Sequence, residues 1–325
     1  MNADATRRNR EKGNKLMALI TKRKFPEAIK LLATNPKEAE HIGSHGDTVL
    51  HLACNIYPDL SLVKALLKAH PAATKLQNGF GCAPLHVACR GSSDKLVWQL
   101  LDADSSVTKL QNKDGNQPIE LLCWYRFENN VVNKALQKLE DYIVEPAETE
   151  EYEDNAFNIL QHPHSLYSPE SASLHAKDLI LNDPQLQRIW RCSRYLVQAE
   201  MTGNVTKFES DFDDSFPIVH ACAQLPNCPM NLTLLAMRLL PNQLALIDQN
   251  GCLPLHYLIR NKYIPWQNYL DKVLRSYPGA ATYRDPQTKL YPFMMLAVEN
   301  RSNLQSVYET LRACPELDRM GIVCR

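Results

Sequence analysis

Five residues, Thr74-Lys75-Leu76-Gln77-Asn78, recur unchanged 34 positions later as Thr108-Lys109-Leu110-Gln111-Asn112. An internal period of that size restricts a chain to architectures built from repeated supersecondary units. A second marker keeps the same phase. GDTVLHLAC begins at Gly46, GCAPLHVAC at Gly81 and GNQPIELLC at Gly115, in steps of 35 and 34. The pattern returns as DSFPIVHAC from Asp214 and GCLPLHYLI from Gly251, with a weaker copy, KLYPFMMLA, from Lys289. A third marker lies ten residues upstream: Pro36, Pro71 and Pro241 precede Gly46, Gly81 and Gly251 by ten, as Ser105 precedes Gly115 and Pro278 precedes Thr288.

The parts of one unit predict its structure. Asn78-Gly79-Phe80-Gly81 is a turn signal, because glycine adopts positive φ without steric cost. Pro84 suits the first turn of a helix, where its missing N–H is not needed. Leu85, Ala88 and Cys89 then give a narrow apolar stripe of mostly small residues. Gly91-Ser92-Ser93 breaks the chain, and Asp94 is the expected cap of a second helix. Leu96, Val97, Leu100 and Leu101 make that helix amphipathic, and Leu62, Val63, Leu66 and Leu67 repeat the pattern one unit earlier. Neither helix buries its stripe alone. Stacked units do, so the expected fold is an all-α solenoid of helix pairs with short hairpin-like turns.

At these residues the chain resembles the ankyrin repeat, whose unit of about 33 residues starts its first helix with a TPLHxAA-like motif. Pro84-Leu85-His86-Val87-Ala88-Cys89 and Pro254-Leu255-His256 match best, and Thr48 to Cys54 keeps the Thr and the His. The family Thr is replaced by Ala83, Gln117, Phe216 and Leu253, and the family His by Glu120, Val219 and Met294, so those units are expected to be less regular. The resemblance implies a stack with a concave face of hairpin tips and first-helix ends that binds another protein. It implies no catalytic residue and no cofactor.

Composition agrees with that class. Lys plus Arg equals Asp plus Glu, 36 each, so no global charge draws the chain to nucleic acid or to an anionic membrane. The ten cysteines form no CxxC pair, which argues against a zinc ribbon or a thioredoxin-like pair. Cys54, Cys89, Cys123 and Cys222 hold one repeat position and read as small core residues; Cys228, Cys314 and Cys324 have no such phase. No stretch reaches the ~18 apolar residues of a membrane span. A cytoplasmic monomer without small-molecule substrate is expected, with the nucleus as the alternative location.

Four regions are expected along the chain. Residues 1–14 read as a flexible basic tail, and 15–140 as capping helices followed by repeats. Residues 141–177 read as an acidic insertion forming a loop, and 178–325 as a degenerate repeat followed by further repeats. A runner-up organisation has two packed halves joined by the insertion. Residues 140–154 carry eight acidic side chains and no Lys or Arg, whereas residues 1–30 carry nine basic and three acidic ones. The tail keeps open a nuclear adaptor, and the insertion an enzyme with a site near it.

Candidate chemistry is sparse. His51, His86 and His256 sit one per repeat, which suits structural hydrogen bonds rather than one metal ion. His162, His164 and His175 lack converging partners for a metal. Glu209, Asp211, Asp213 and Asp214 lack the spacing and glycine of an EF-hand and read as a hairpin tip. No catalytic, cofactor or metal residue is expected. The candidate partner-binding residues are Phe80, Arg90, Lys113, Trp124, Tyr125, Arg126, Tyr257, Arg260 and Tyr263. They lie at tips or just past the first helices, and aromatic and Arg side chains are common hot spots.

Overall fold

The structure is a computed structural model describing residues 15–43, 45–56, 59–91, 93–124, 136–138, 169–261, 270–298, 307–308 and 310–311. The elements considered are α1 (Lys15–Thr21), α2 (Phe25–Thr34), α3 (Val49–Ile56), α4 (Leu60–Ala69), α5 (Pro84–Gly91), α6 (Asp94–Ala103), α7 (Pro118–Trp124), α8 (Pro169–Asn182), α9 (Pro184–Thr202), α10 (Ile218–Gln224), α11 (Met230–Leu239), α12 (Pro254–Arg260), α13 (Leu270–Ser276) and α14 (Pro292–Val298). Among the described residues the fold is all-α, and extended pairing is confined to one bridge between Ile42 and Thr48.

The chain divides into two compact units, one within 1–127 and 188–207, the other within 128–187 and 208–325. In unit 1 the first helices α1, α3, α5 and α7 pack in sequence, and the second helices α2, α4 and α6 form a parallel layer against them. The core is what the periodicity predicts: Leu62, Val63, Leu66 and Leu67 of α4 and Leu96, Val97, Leu100 and Leu101 of α6 are buried, as are Ala53, Cys54, Ala88 and Cys89 of the first helices. Small side chains on the first helices let those helices approach closely. The expected terminal pair is present as α1 and α2, buried through Leu16, Ile20, Ala28 and Leu32.

In unit 2, α10, α12 and α14 pack in sequence as first helices, and α8, α11 and α13 as second helices. Ser173 of α8 donates to the Leu239 carbonyl at 2.9 Å. Helix α8 therefore occupies residues 169–177, which the sequence reading assigns to loop. The neighbouring expectation of one degenerate repeat over 178–212 also changes. Pro184 opens a single 19-residue helix, α9, with no internal Gly or Pro to break it. Gly203, at φ 73°, terminates it by donating to the Ala199 carbonyl at 2.9 Å. From residue 188 this segment belongs to unit 1: Arg191 pairs with Asp94 at 3.7 Å, and the Lys207 ammonium lies 4.7 Å over the Trp98 ring.

The markers ten residues before the glycines each open a 3-10 turn after a second helix: Pro36–Glu40, Pro71–Lys75, Ser105–Lys109, Pro241–Ala245 and Pro278–Thr282. The cap of α6 is Ser93 rather than Asp94. Ser93 holds extended backbone (φ −69°, ψ 152°), so its hydroxyl accepts from the Leu96 N–H at 3.3 Å, whereas Asp94 already lies inside the helix.

Residues 1–14 and most of 141–177 lie outside the described residues, as do His162, His164, Cys314 and Cys324. No described helix is long and apolar enough to cross a membrane.

Candidate functional site

The repeat histidines tie each unit to the next. His86 Nδ1 accepts from the Ala83 N–H at 3.1 Å, which fixes a neutral ring whose Nε2–H donates to the Asn116 carbonyl at 3.1 Å. His51 repeats this with the Thr48 N–H (3.1 Å) and the Cys82 carbonyl (2.7 Å), and His256 with the Leu253 N–H (3.0 Å) and the Tyr283 carbonyl (3.0 Å). Where the family His is missing, other groups take its bonds. Glu120 accepts from the Gln117 N–H at 2.6 Å. In the unit with Val219, His220, one residue later, reaches the Cys252 carbonyl at 3.0 Å, and Gln243 accepts from the Val219 N–H at 3.1 Å as Thr48 Oγ1 accepts from the His51 N–H at 3.3 Å. His220 Nδ1 is left buried without a partner, in keeping with a less regular unit.

Burial holds His51, His86 and His256 below the usual imidazole pKa. The unfolded chain therefore binds protons first. Stability from these residues is complete above about pH 6.5 and is lost as the pH falls from there toward the folded-state values. The thermal midpoint is expected to drop between about pH 7 and pH 5. His86→Gln is expected to flatten that drop, as measured by thermal unfolding across the range; a pH profile identical to wild type would refute the assignment.

Three of the hairpin tips are organised by one Asx residue each, a role sequence reading missed although Asn78 and Asn112 close the five-residue repeat. Asn78 Oδ1 accepts from the Phe80 and Cys82 N–H groups, both at 3.0 Å. Asn112 and Asp248 do the same for the N–H groups two and four residues on, at 2.9–3.0 Å. Gly81 (φ 74°) completes its tip, and a Cβ there would lie 2.7 Å from the Lys113 nitrogen, so only glycine fits. In the last unit Lys289 takes the left-handed conformation (φ 61°), and the turn is one residue longer.

In unit 1 this geometry gathers three of the candidate residues. Phe80 is 64% exposed at its tip. Its carbonyl accepts from the Lys113 N–H at 3.1 Å, and Lys113 is exposed on the next tip. Arg90, exposed at the end of α5, reaches within 4.0 Å of the Cys82 sulfur. Trp124 is the last residue of α7, and Tyr125, Arg126 and Tyr263 lie outside the described residues.

Tyr257 and Arg260 are employed inside unit 2. The Tyr257 hydroxyl donates to Asp248 Oδ2 at 2.5 Å. Arg260 pairs with the fully buried carboxylate of Asp285, stacks 5.6 Å from the Tyr257 ring centroid and lies 3.8 Å from the Cys252 sulfur. Burial pushes the Asp285 pKa up, but the Thr288 hydroxyl and N–H, and then Arg260, hold it below the usual carboxylate value overall. Cys252, His256 and Asp285 bring donor atoms within 4.8 Å of one another, yet they do not fit a metal. Both His256 nitrogens are bonded to backbone, and the guanidinium already supplies the cation.

The remaining candidates for chemistry are also accounted for. Burial pushes the Cys54 and Cys192 thiols up to about 12 and Cys89 well above its usual value, the opposite of an activated nucleophile. Asp213 accepts from the Ser215 N–H at 2.7 Å, Asp211 from Gln187 at 2.8 Å and Asp214 from Gln243 at 3.5 Å, so these acids serve local structure. His175 lies on α8.

Comparison with known proteins agrees with the geometry. Residues 31–88 match the family model described as ankyrin repeats (many copies). None of the curated proteins compared with the chain matches it. Ankyrin repeats are generally protein–protein interaction modules and typically non-catalytic. The in-phase turn, helix and histidine geometry of both units is similar to that of the ankyrin repeats matched at residues 31–88.

Proposed function

We propose that the protein is a non-catalytic scaffold that holds a partner protein on the hairpin tips and first-helix ends of unit 1, with Phe80, Arg90 and Lys113 as contacts. The observation that carries this reading is Phe80: a large aromatic side chain, 64% exposed, on a tip whose backbone is bonded to the tips before and after it. A rigid exposed aromatic beside cationic side chains is the composition of an interface hot spot. Arg260 and Tyr257 leave the proposed contact set, because their polar groups are occupied within unit 2. In this reading the protein acts as a cytoplasmic monomer and its partner is a protein rather than nucleic acid, in keeping with the balanced charge of the chain.

The test is affinity purification from native extract with wild type and a Phe80→Ala/Lys113→Ala variant of unchanged thermal midpoint. One discrete protein is expected with wild type. Its affinity is expected to fall at least tenfold in the variant, the scale of one hot spot. Equal retention by both proteins would move the contact away from these tips, and absence of any specific partner would count against the scaffold reading itself.

A further inference from the structure

The C-terminal part of α9 takes a place in unit 1 that the repeat period gives to other residues. Val131, Val132, Ala135 and Leu136 stand 35 positions after Leu96, Val97, Leu100 and Leu101 of α6 and keep their apolar spacing, the pattern of the next second helix. Leu136, however, belongs to unit 2, where it lines a cleft with Leu234 and Met237 of α11 and Ser276 of α13. Beside α6 stands α9 instead. Arg191 pairs with Asp94, the first residue of α6, at 3.7 Å. At the other end the Gly203 carbonyl accepts from the hydroxyl of Ser105, which opens the 3-10 turn after α6, at 2.5 Å. Start lies beside start and end beside end, so the two helices run parallel. The end of α6 meets the preceding 3-10 turn in the same way: its C-cap Asp104 receives the Lys75 ammonium at 3.1 Å and the Thr74 hydroxyl at 3.4 Å.

The two seats differ in how their polar groups are matched. The carboxylate of Asp104 has a cation and a hydroxyl from the repeat before it. On α9 the Ser193 hydroxyl is fully buried and bonds to no described residue. The indole N–H of Trp98 on α6, whose ring lies 4.7 Å from the Lys207 ammonium, is likewise buried without an acceptor among the described residues. Burial raises the pKa of Glu200 on α9; Lys109 opposes that shift and the like charge of Glu120 adds to it. Buried polar groups left unmatched weaken the seat of the element that carries them. An element held less firmly than its neighbours opens while they stay folded.

We propose that residues 188–207 form a releasable strap on unit 1, which leaves α6 while helices α1 to α7 stay folded and so switches the side of α6 that it covers between closed and open. The strap lies on the second-helix layer and does not depend on the contact proposed at Phe80. Ser193→Ala removes the unmatched hydroxyl and holds the strap more firmly. Arg191→Ala removes one of its attachments and loosens it.

The experiment is modification of the native full-length protein by iodoacetamide, with each cysteine followed by peptide mass spectrometry. Cys192 of α9, Cys54 of α3 and Cys222 of α10 are all buried, so each reacts only when its surroundings open. Cys192 is expected to react at least about tenfold faster than the other two. Ser193→Ala is expected to slow Cys192 by about tenfold. Arg191→Ala is expected to speed it by about threefold, and both variants to leave the Cys54 rate unchanged. The proposal is overturned if Cys192 reacts in step with Cys54 or with Cys222, because it then opens only with a whole unit. It is also overturned if Ser193→Ala leaves the Cys192 rate within twofold of wild type.

Discussion

Leu85→Asp is expected to abolish the cooperative fold of unit 1. Leu85 is 1% exposed in α5, which packs between α3 and α7. Truncating such a residue costs about 2–5 kcal/mol through lost burial and the cavity left behind. A carboxylate at the same place adds several kcal/mol more, because burial strips its hydration. The sum rivals the roughly 5–15 kcal/mol that hold a typical domain together. In a repeat stack the damage spreads, since each unit is stable only through its neighbours. Far-UV circular dichroism and urea titration are the measurements. A large fall in helical signal is expected, or loss of the earlier part of a biphasic transition if unit 2 persists. A urea midpoint unchanged from wild type would refute the core placement of α5.

Arg260→Ala is expected to destabilise unit 2 by about 3 kcal/mol, the lower end of the range for breaking a buried ion pair. The Asp285 side chain is fully buried and Arg260 is only 24% exposed, so removing the guanidinium leaves a dehydrated carboxylate without its counter-ion. The lower end applies because Thr288 still donates to Asp285 through its N–H (2.8 Å) and hydroxyl (2.7 Å). Unit 1 indicates the remedy. Its tips use Asn78 and Asn112 where unit 2 uses Asp248 and Asp285, and the amide oxygen does the same work for the backbone donors. Adding Asp285→Asn to Arg260→Ala is therefore expected to recover roughly 2 kcal/mol, a coupling typical of residues in direct contact. Urea midpoints of the two single variants and the double variant measure it. Additive single effects would show that the pair contributes nothing beyond its separate members.

Much of the architecture was legible in the residues themselves. The 34-residue offset, the glycines of the turns at Gly46, Gly81, Gly115 and Gly251 and the prolines that open α5, α7, α12 and α14 are local instructions. They act through backbone φ and missing donors, which depend on residue type and not on distant contacts. The buried pairs of α4 and α6 followed from helical periodicity for the same reason. The assignment of Cys54, Cys89 and Cys222 to the core also held, because a period that repeats the environment repeats the burial.

What the sequence reading lacked were bonds formed between units. Gln243 looks like an ordinary polar residue of the 3-10 turn after α11, yet it lies buried and accepts from the Val219 N–H 24 positions away, the bond that Thr48 Oγ1 makes to the His51 N–H in unit 1. His220 takes over the bond of the missing histidine from one position later than the motif predicts. Arg260 and Arg90 hold the same repeat position and read as equivalent contacts. Only Arg260 meets a buried aspartate, supplied by the following repeat. The long helix α9 was hidden because residues 178–212 keep a proline in phase, whereas residues 185–202 contain no Gly or Pro to divide a helix in two. By itself, then, the sequence determined the repeat, its turn chemistry and its apolar faces, since each is set within a few residues along the chain. Which polar groups are used internally and which stay open to a partner was decided only by the tertiary structure, because a donor or acceptor is satisfied by whatever lies across the stack.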